Sequence, residues 1–207
     1  DPYSKIILNK DDDAFINSSI YPGMKPYPTG KTTGNVSVFR TSEPAFNWQN
    51  ISFKRPDRKD LVVYELLVRD FTAAKTYKVL TDTLAYLQKL GVNCIQLMPI
   101  MEFEGNLSWG YNPSHHFALD KYYGSATAFK EFVDKAHGMC ISVVLDIAMN
   151  HAFGQSPLAQ LYWNSAQSRP AANNPWLNEV ARHDFNVGYD FNHQSADTRY
   201  YLDRVMK

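Results

Sequence analysis

From Leu61 onward the chain alternates between two patterns. Leu61-Val-Val-Tyr-Glu-Leu-Leu-Val68 is a nearly unbroken apolar run, which suits a strand. Leu80, Leu84, Leu87 and Leu90 then recur at helical spacing, and Gly91 is placed to end that helix. Val92-Asn-Cys-Ile-Gln-Leu-Met-Pro-Ile100 reads as a second strand, followed by a long loop centred on Trp109-Gly-Tyr-Asn-Pro113. Ser125 can cap a helix with Phe129, Phe132, Val133 and Ala136 on one face and Gly138 near its end. Ile141-Ser-Val-Val-Leu-Asp-Ile147 is a third apolar run, expected as a parallel strand buried on both faces. Asp146 lies inside that run, and Asn150 and His151 stand at its carboxyl end. A polar segment, 152–194, follows; at about 45 residues it is long for a plain connection. Ser195 can cap a last amphipathic stretch with Tyr201, Leu202 and Val205.

Residues 1–57 differ from the rest. They show little helical periodicity and are rich in Pro, Gly, Tyr and Asn, with Tyr21-Pro-Gly-Met-Lys-Pro-Tyr-Pro-Thr-Gly30 a loop by composition. Lys5-Ile-Ile-Leu8 and Asn35-Val-Ser-Val-Phe39 look like short strands. The segment lacks the apolar mass for its own core and reads as the tail of an N-terminal β domain, or as a linker. Residues 58–207 then give three alternating strand–helix units. Right-handed crossovers make the three strands parallel neighbours. A doubly wound sheet and a (β/α)8 barrel both begin this way. No Gly-rich phosphate loop follows the first strand, and the long loops after the second and third favour the barrel.

The formal net charge is +0 with no dense basic face, so nucleic acid and anionic membranes are poor candidates for the main partner. No run of 18 apolar residues exists, so no transmembrane helix is expected. No signal-peptide pattern follows Asp1-Pro2, which leaves the compartment open. Cys94 and Cys140 are expected as buried free thiols. Thirteen Tyr, twelve Phe and four Trp fit a cleft that stacks on flat apolar faces such as sugar rings, as well as a core.

Four segments in order resemble the α-amylase family, glycoside hydrolase family 13. They are Tyr64-Glu65 with Arg69-Asp70-Phe71; Gly91 to Ile100; Trp109-Gly-Tyr-Asn-Pro113 continued by Lys121-Tyr-Tyr-Gly124; and Asp146-Ile-Ala-Met-Asn-His151. The resemblance covers about residues 61–151, and more loosely up to 207. It implies an α/β fold, the first three βα units of a (β/α)8 TIM barrel preceded by the tail of a β domain. It implies that Asp146 orients the strand end, that His151 donates to a sugar hydroxyl, and that Tyr111, with Trp109 beside it, stacks on the sugar. It implies that Asn150 is a calcium ligand, as in many members. Further oxygen donors would have to come from 152–194, where Asp184 and Asp190 are candidates that no spacing rule singles out. His115-His116 is a poor shared metal site, because adjacent residues in extended chain point apart.

The resemblance implies retaining cleavage of α-glucosidic bonds in starch-like glucans by a nucleophile and an acid carboxylate. In the family these follow later strands, so no catalytic residue is assignable here. Glu102, Glu104 and Asp120 do not occupy those positions. The expectation is an N-terminal piece of a hydrolase, inactive alone, with an α-glucan oligosaccharide or polysaccharide as its partner. The rival is a non-catalytic α-glucan-binding or interaction domain of the same family. Three units also leave an open parallel edge, which invites self-association unless further chain covers it.

Overall fold

The computed structural model describes residues 1–207. The N-terminal segment carries one short antiparallel ribbon, β1 (Ile7–Leu8) against β2 (Val36–Ser37). The parallel sheet begins with β3 (Val63–Leu66), which runs into a single helical turn, α1 (Val68–Phe71). The leucine repeat forms two short helices, α2 (Tyr77–Asp82) and α3 (Leu84–Lys89), rather than one. Thr83 divides them: its hydroxyl donates to Leu80 O at 2.7 Å, a back-bond that competes with the helical ladder. Gly91 closes α3 as expected. Its φ is +80°, its N–H donates to Gln88 O and that of Val92 to Leu87 O, the paired bonds of a Schellman cap.

Next come β4 (Cys94–Leu97) and a hairpin of β5 (Met101–Phe103) against β6 (Pro113–Leu119). Then follow α4 (Ala126–Gly138), capped by Ser125, and β7 (Ser142–Leu145). The sheet order is β3-β4-β7, all parallel, so the sequence neighbours are the spatial neighbours. Asn93 helps set the register: Oδ1 accepts from Val62 N, Nδ2 donates to Asp60 O, and its carbonyl accepts from Ser142 N. One face of the sheet, with Tyr64, Leu66, Ile95, Leu97 and Val143, packs into a core with Leu80, Leu84, Leu87 and Phe132 from the helices. The arrangement is open, not a closed barrel.

Two sequence expectations fail here. The run from Ile141 is not buried on both faces: Val144 and Leu145 are 47% and 40% exposed. β7 is an edge strand, and only β4 has a neighbour on each side. The second failure concerns Cys140. It is exposed, whereas Cys94 is buried as expected. Cys140 takes φ +61° and makes the cap of α4, with its N–H donating to His137 O and that of Ile141 to Ala136 O. The glycine near that end, Gly138, lies within the helix. A Cβ there would meet Asn50 Oδ1 at 2.8 Å, so its value is close approach of the N-terminal segment.

The stretch after β7 is more ordered than a loop. It holds β8 (His151–Ala152), α5 (Pro157–Gln160), β9 (Trp163–Asn164), β10 (Arg169–Pro170) and β11 (Tyr189–Asp190). β11 pairs with β8, and β10 with β9, both antiparallel. With α6 (Ala196–Val205), capped by Ser195, these form a second small core of Ala152, Leu158, Leu177, Phe191, Tyr201 and Leu202. Trp176 packs against it, and Trp163 meets Tyr189 edge-on at 5.3 Å. No helix is long and apolar enough to cross a membrane.

Candidate functional site

The carboxyl ends of β4 and β7 bring three of the expected residues together. β4 ends at Leu97, and Gly110 of the following loop lies against Pro99, with φ +90°. A Cβ on Gly110 would stand 2.3 Å from Pro99 O, so only glycine lets the loop approach so closely. That contact fixes the neighbouring Tyr111. Asp146 follows the last residue of β7, not inside the strand, and its N–H donates to Leu97 O at 2.8 Å. Tyr111 Oη donates to Asp146 Oδ2 at 2.7 Å, which gives the carboxylate a partner and pushes the phenol up to about 12. His151 lies at the start of β8, 5% exposed.

His151 Nε2 lies 2.7 Å from the Tyr111 carbonyl, which can only accept, so Nε2 carries the proton. Its Nδ1 is buried without a partner, and its ring meets Phe153 edge-on at 5.5 Å. The expected gift of this proton to a sugar hydroxyl is therefore not free for the taking; Tyr111 already receives it. Tyr111 is held twice, by hydroxyl and by carbonyl, and stays 37% exposed. Trp109 is 61% exposed beside it. The result is an aromatic wall pinned by a carboxylate and an imidazole.

The other expected residues make their hydrogen bonds away from Tyr111 and Asp146, although Asn150 adjoins His151 in the chain and Asp190 pairs with it across β8 and β11. Asn150 is exposed, and its carbonyl accepts from Phe191 N at 2.9 Å. Asp184 is exposed. Asp190 is buried, with Oδ2 accepting from Asn178 Nδ2 at 2.6 Å and Oδ1 3.2 Å from His183 Nε2. No three His, Cys, Asp or Glu side chains converge to hold a metal. His115 and His116 are both buried in β6, in contact with Ser114 and with Ala148 O respectively.

Sequence reasoning did not foresee a buried ion cluster beside the hairpin. Lys121, 3% exposed, bonds to Glu102 Oε1 and lies 3.3 Å from Asp13 Oδ1. Asp120 adds a third buried carboxyl, accepting from Tyr122 N at 2.9 Å. Burial pushes the Glu102 and Asp120 carboxyls up, with the Lys121 ammonium opposing it in both. The only sequence signal was three charged residues in otherwise apolar surroundings; Asp13 lies far away in the chain and gives none.

The family model described as "Alpha amylase, catalytic domain" matches residues 52–185. The malto-oligosyltrehalose trehalohydrolase of Saccharolobus solfataricus is 37% identical over 108 residues, 52% of this chain and 19% of that protein. Isoamylase 1, chloroplastic, of Arabidopsis thaliana is 29% identical over 185 residues, 73% of this chain and 22% of that protein. The chain therefore spans about a fifth of the length of these relatives. Among solved structures, a maltogenic alpha-amylase from Thermotoga neapolitana matches with a TM-score of 0.57 at 26% identity, over 72% of this chain and 36% of that one. A Group B Streptococcus pullulanase in complex with maltotetraose gives 0.67 over 100% of this chain and 29% of that one; at 24% identity this is a likeness of fold.

Proposed function

The chain belongs to the α-amylase family, and on that premise we propose that it is the N-terminal part of a retaining glycoside hydrolase acting on the α-glucosidic bonds of starch-like glucans. In this proposal β3, β4 and β7 are the first three strands of a (β/α)8 barrel, and residues 1–57 end a preceding β domain. The observation that carries it is the wall of Tyr111, Asp146 and His151 at the carboxyl ends of parallel strands, where barrel enzymes build their sites. Tyr111 and Trp109 are the platform for a glucose ring. Asp146 holds the Tyr111 hydroxyl. His151 holds the Tyr111 carbonyl, and a bound sugar hydroxyl takes a share of that proton. The wall positions the glucan, and no nucleophile or acid is assigned among these residues.

Two measurements test this. The isolated chain gives no sustained turnover of maltooligosaccharides; turnover would refute the view that the catalytic carboxylates lie elsewhere. In the full-length protein, His151→Ala lowers kcat far more than it lowers Tm. Equal loss of both makes His151 structural and removes the substrate role. Calcium at Asn150 and Asp184 rests on the family resemblance alone. Calorimetric titration of the full-length protein with calcium tests it, and the absence of a binding heat removes it. The open edges of β3 and β7 also lead us to propose that the isolated chain self-associates, which sedimentation velocity across a concentration series checks.

A further inference from the structure

The N-terminal segment is tied to both loops that carry the candidate site. Asn9, Asn35 and Gln155 form a triangle of amides. Asn9 Nδ2 donates to Asn35 Oδ1 at 3.1 Å and to Gln155 Oε1 at 3.3 Å, and Asn35 Nδ2 donates to the same Oε1 at 3.1 Å. Gln155 follows shortly after His151, and its backbone N–H donates to Glu104 Oε1 at 2.5 Å. Glu104 belongs to the hairpin whose tip bears Trp109 and Tyr111, and it is bonded across that hairpin to Asn112. One residue thus joins three separate pieces of chain.

Asn9 is itself held firmly. Its N–H donates to Asp13 Oδ2 at 2.9 Å, and its Oδ1 accepts from the N–H groups of Asp11 and Asp12. Asp13 then reaches the hairpin by its ion pair with Lys121, and Asn106 Nδ2 donates to Asp12 O at 2.8 Å. Between the two loops themselves the direct ties are Phe153 N to Pro113 O at 2.9 Å, His151 to Tyr111, and the Gln155 backbone N–H to Glu104 Oε1, which a change of the Gln155 side chain leaves in place. The outer ends of both loops are therefore set by the N-terminal segment. Gln155 acts there as an acceptor, since its side-chain oxygen takes both asparagine donors.

We propose that Gln155 is a positioning residue for α-glucan binding, through which the N-terminal segment sets the separation of the Tyr111 loop from the His151 loop. This rests on the reading of that wall as the glucan site. Gln155 touches no reacting bond. It acts by keeping the two loops at the spacing a sugar ring requires, and small displacements of a binding wall carry large kinetic penalties.

The test uses the full-length protein, with maltoheptaose as the probe. Gln155→Leu raises KM by about fivefold to tenfold, keeps kcat within about twofold and lowers Tm by less than about 3 °C. The pair Asn9→Ala and Asn35→Ala removes the donors instead, gives the same rise in KM, and adds nothing when combined with Gln155→Leu. Amide hydrogen exchange at residues 104–113 and 151–156 quickens in each variant. An unchanged KM, or additive effects, overturns the proposal while leaving the glucan reading intact. A fall in Tm with unchanged KM makes Gln155 merely structural and also overturns it. A wild-type protein that neither binds nor cleaves maltoheptaose removes the glucan reading, and this proposal with it.

Discussion

Acid weakens this chain through two adjacent imidazoles in β6. His116 is 4% exposed; its Nε2 donates to Ala148 O at 3.2 Å, and its Nδ1 has no partner. Its ring lies edge-on to Phe191 and Tyr201. A second proton on that ring would be a buried, unpaired cation, so burial pushes the imidazole from 6.5 down to about 4. His115 beside it is pushed down to about 3, again chiefly by burial. The unfolded chain takes up these protons near the ordinary value, whereas the native chain resists. Stability is therefore whole above about pH 6.5 and is lost as pH falls towards 4. For His116 alone the full loss is about 3 kcal/mol, a large part of the roughly 5–15 kcal/mol that holds a domain. The assay is urea unfolding by circular dichroism at pH 7.5, 6.0, 5.0 and 4.5, on wild type and on His116→Gln. The glutamine amide can donate to Ala148 O but does not titrate. At pH 7.5 the variant is less stable by about 1 kcal/mol, because the ring's packing is lost. Between pH 7.5 and 4.5 it loses about 2 kcal/mol less than wild type. Carboxylates contribute equally to both, so parallel pH curves would refute the assignment to His116.

Three further outcomes follow from the geometry. Cys140→Gly relieves a left-handed backbone position and gains about 0.5–1 kcal/mol, read as a higher Tm; a lower Tm would mean the thiol packs favourably despite its exposure. Lys121→Met leaves Glu102 and Asp13 buried without their cation and costs about 3–5 kcal/mol, read from the urea midpoint at pH 7 and partly restored at lower pH as Glu102 protonates. Gly110→Ala drives a methyl into Pro99 O and displaces Tyr111, so the high-pH ultraviolet titration of a phenol near 12 moves to ordinary values; an unchanged titration would show the loop accommodates the methyl.

The parallel framework was legible because it rests on local pattern. The apolar runs at Leu61, Val92 and Ile141 each hold a strand, and Ser125, Ser195 and Gly91 cap where the pattern placed them. The hairpin of β5 and β6 was not legible. Its longer strand reads Pro-Ser-His-His-Phe-Ala-Leu, in which buried histidines pass for polar loop residues. Burial depended on neighbours the pattern cannot name, so the edge position of β7 and the exposed cap at Cys140 were missed. At the site, residue identity suggested Tyr111, Asp146 and His151, but not that Tyr111 would donate to Asp146 and accept from His151. Partners such as Asp13 and Lys121, or Asn9 and Gln155, meet across long stretches of chain and leave no periodic trace.

The strand order bears on how this chain is made. Each strand of the parallel sheet pairs with the one just before it, so β4 can dock on β3 before β7 has been synthesised. At roughly 5–20 residues per second, the stretch 98–141 takes about 2–9 s to emerge from the ribosome. During that interval the backbone N–H and C=O groups on the β7 side of β4 are a bare edge, with Ile95 and Leu97 on the face that the core covers. Translation speed across 98–141 thus sets how long this edge is open to wrong partners. Slowing those codons would raise demand for holding chaperones even though the finished protein would be identical.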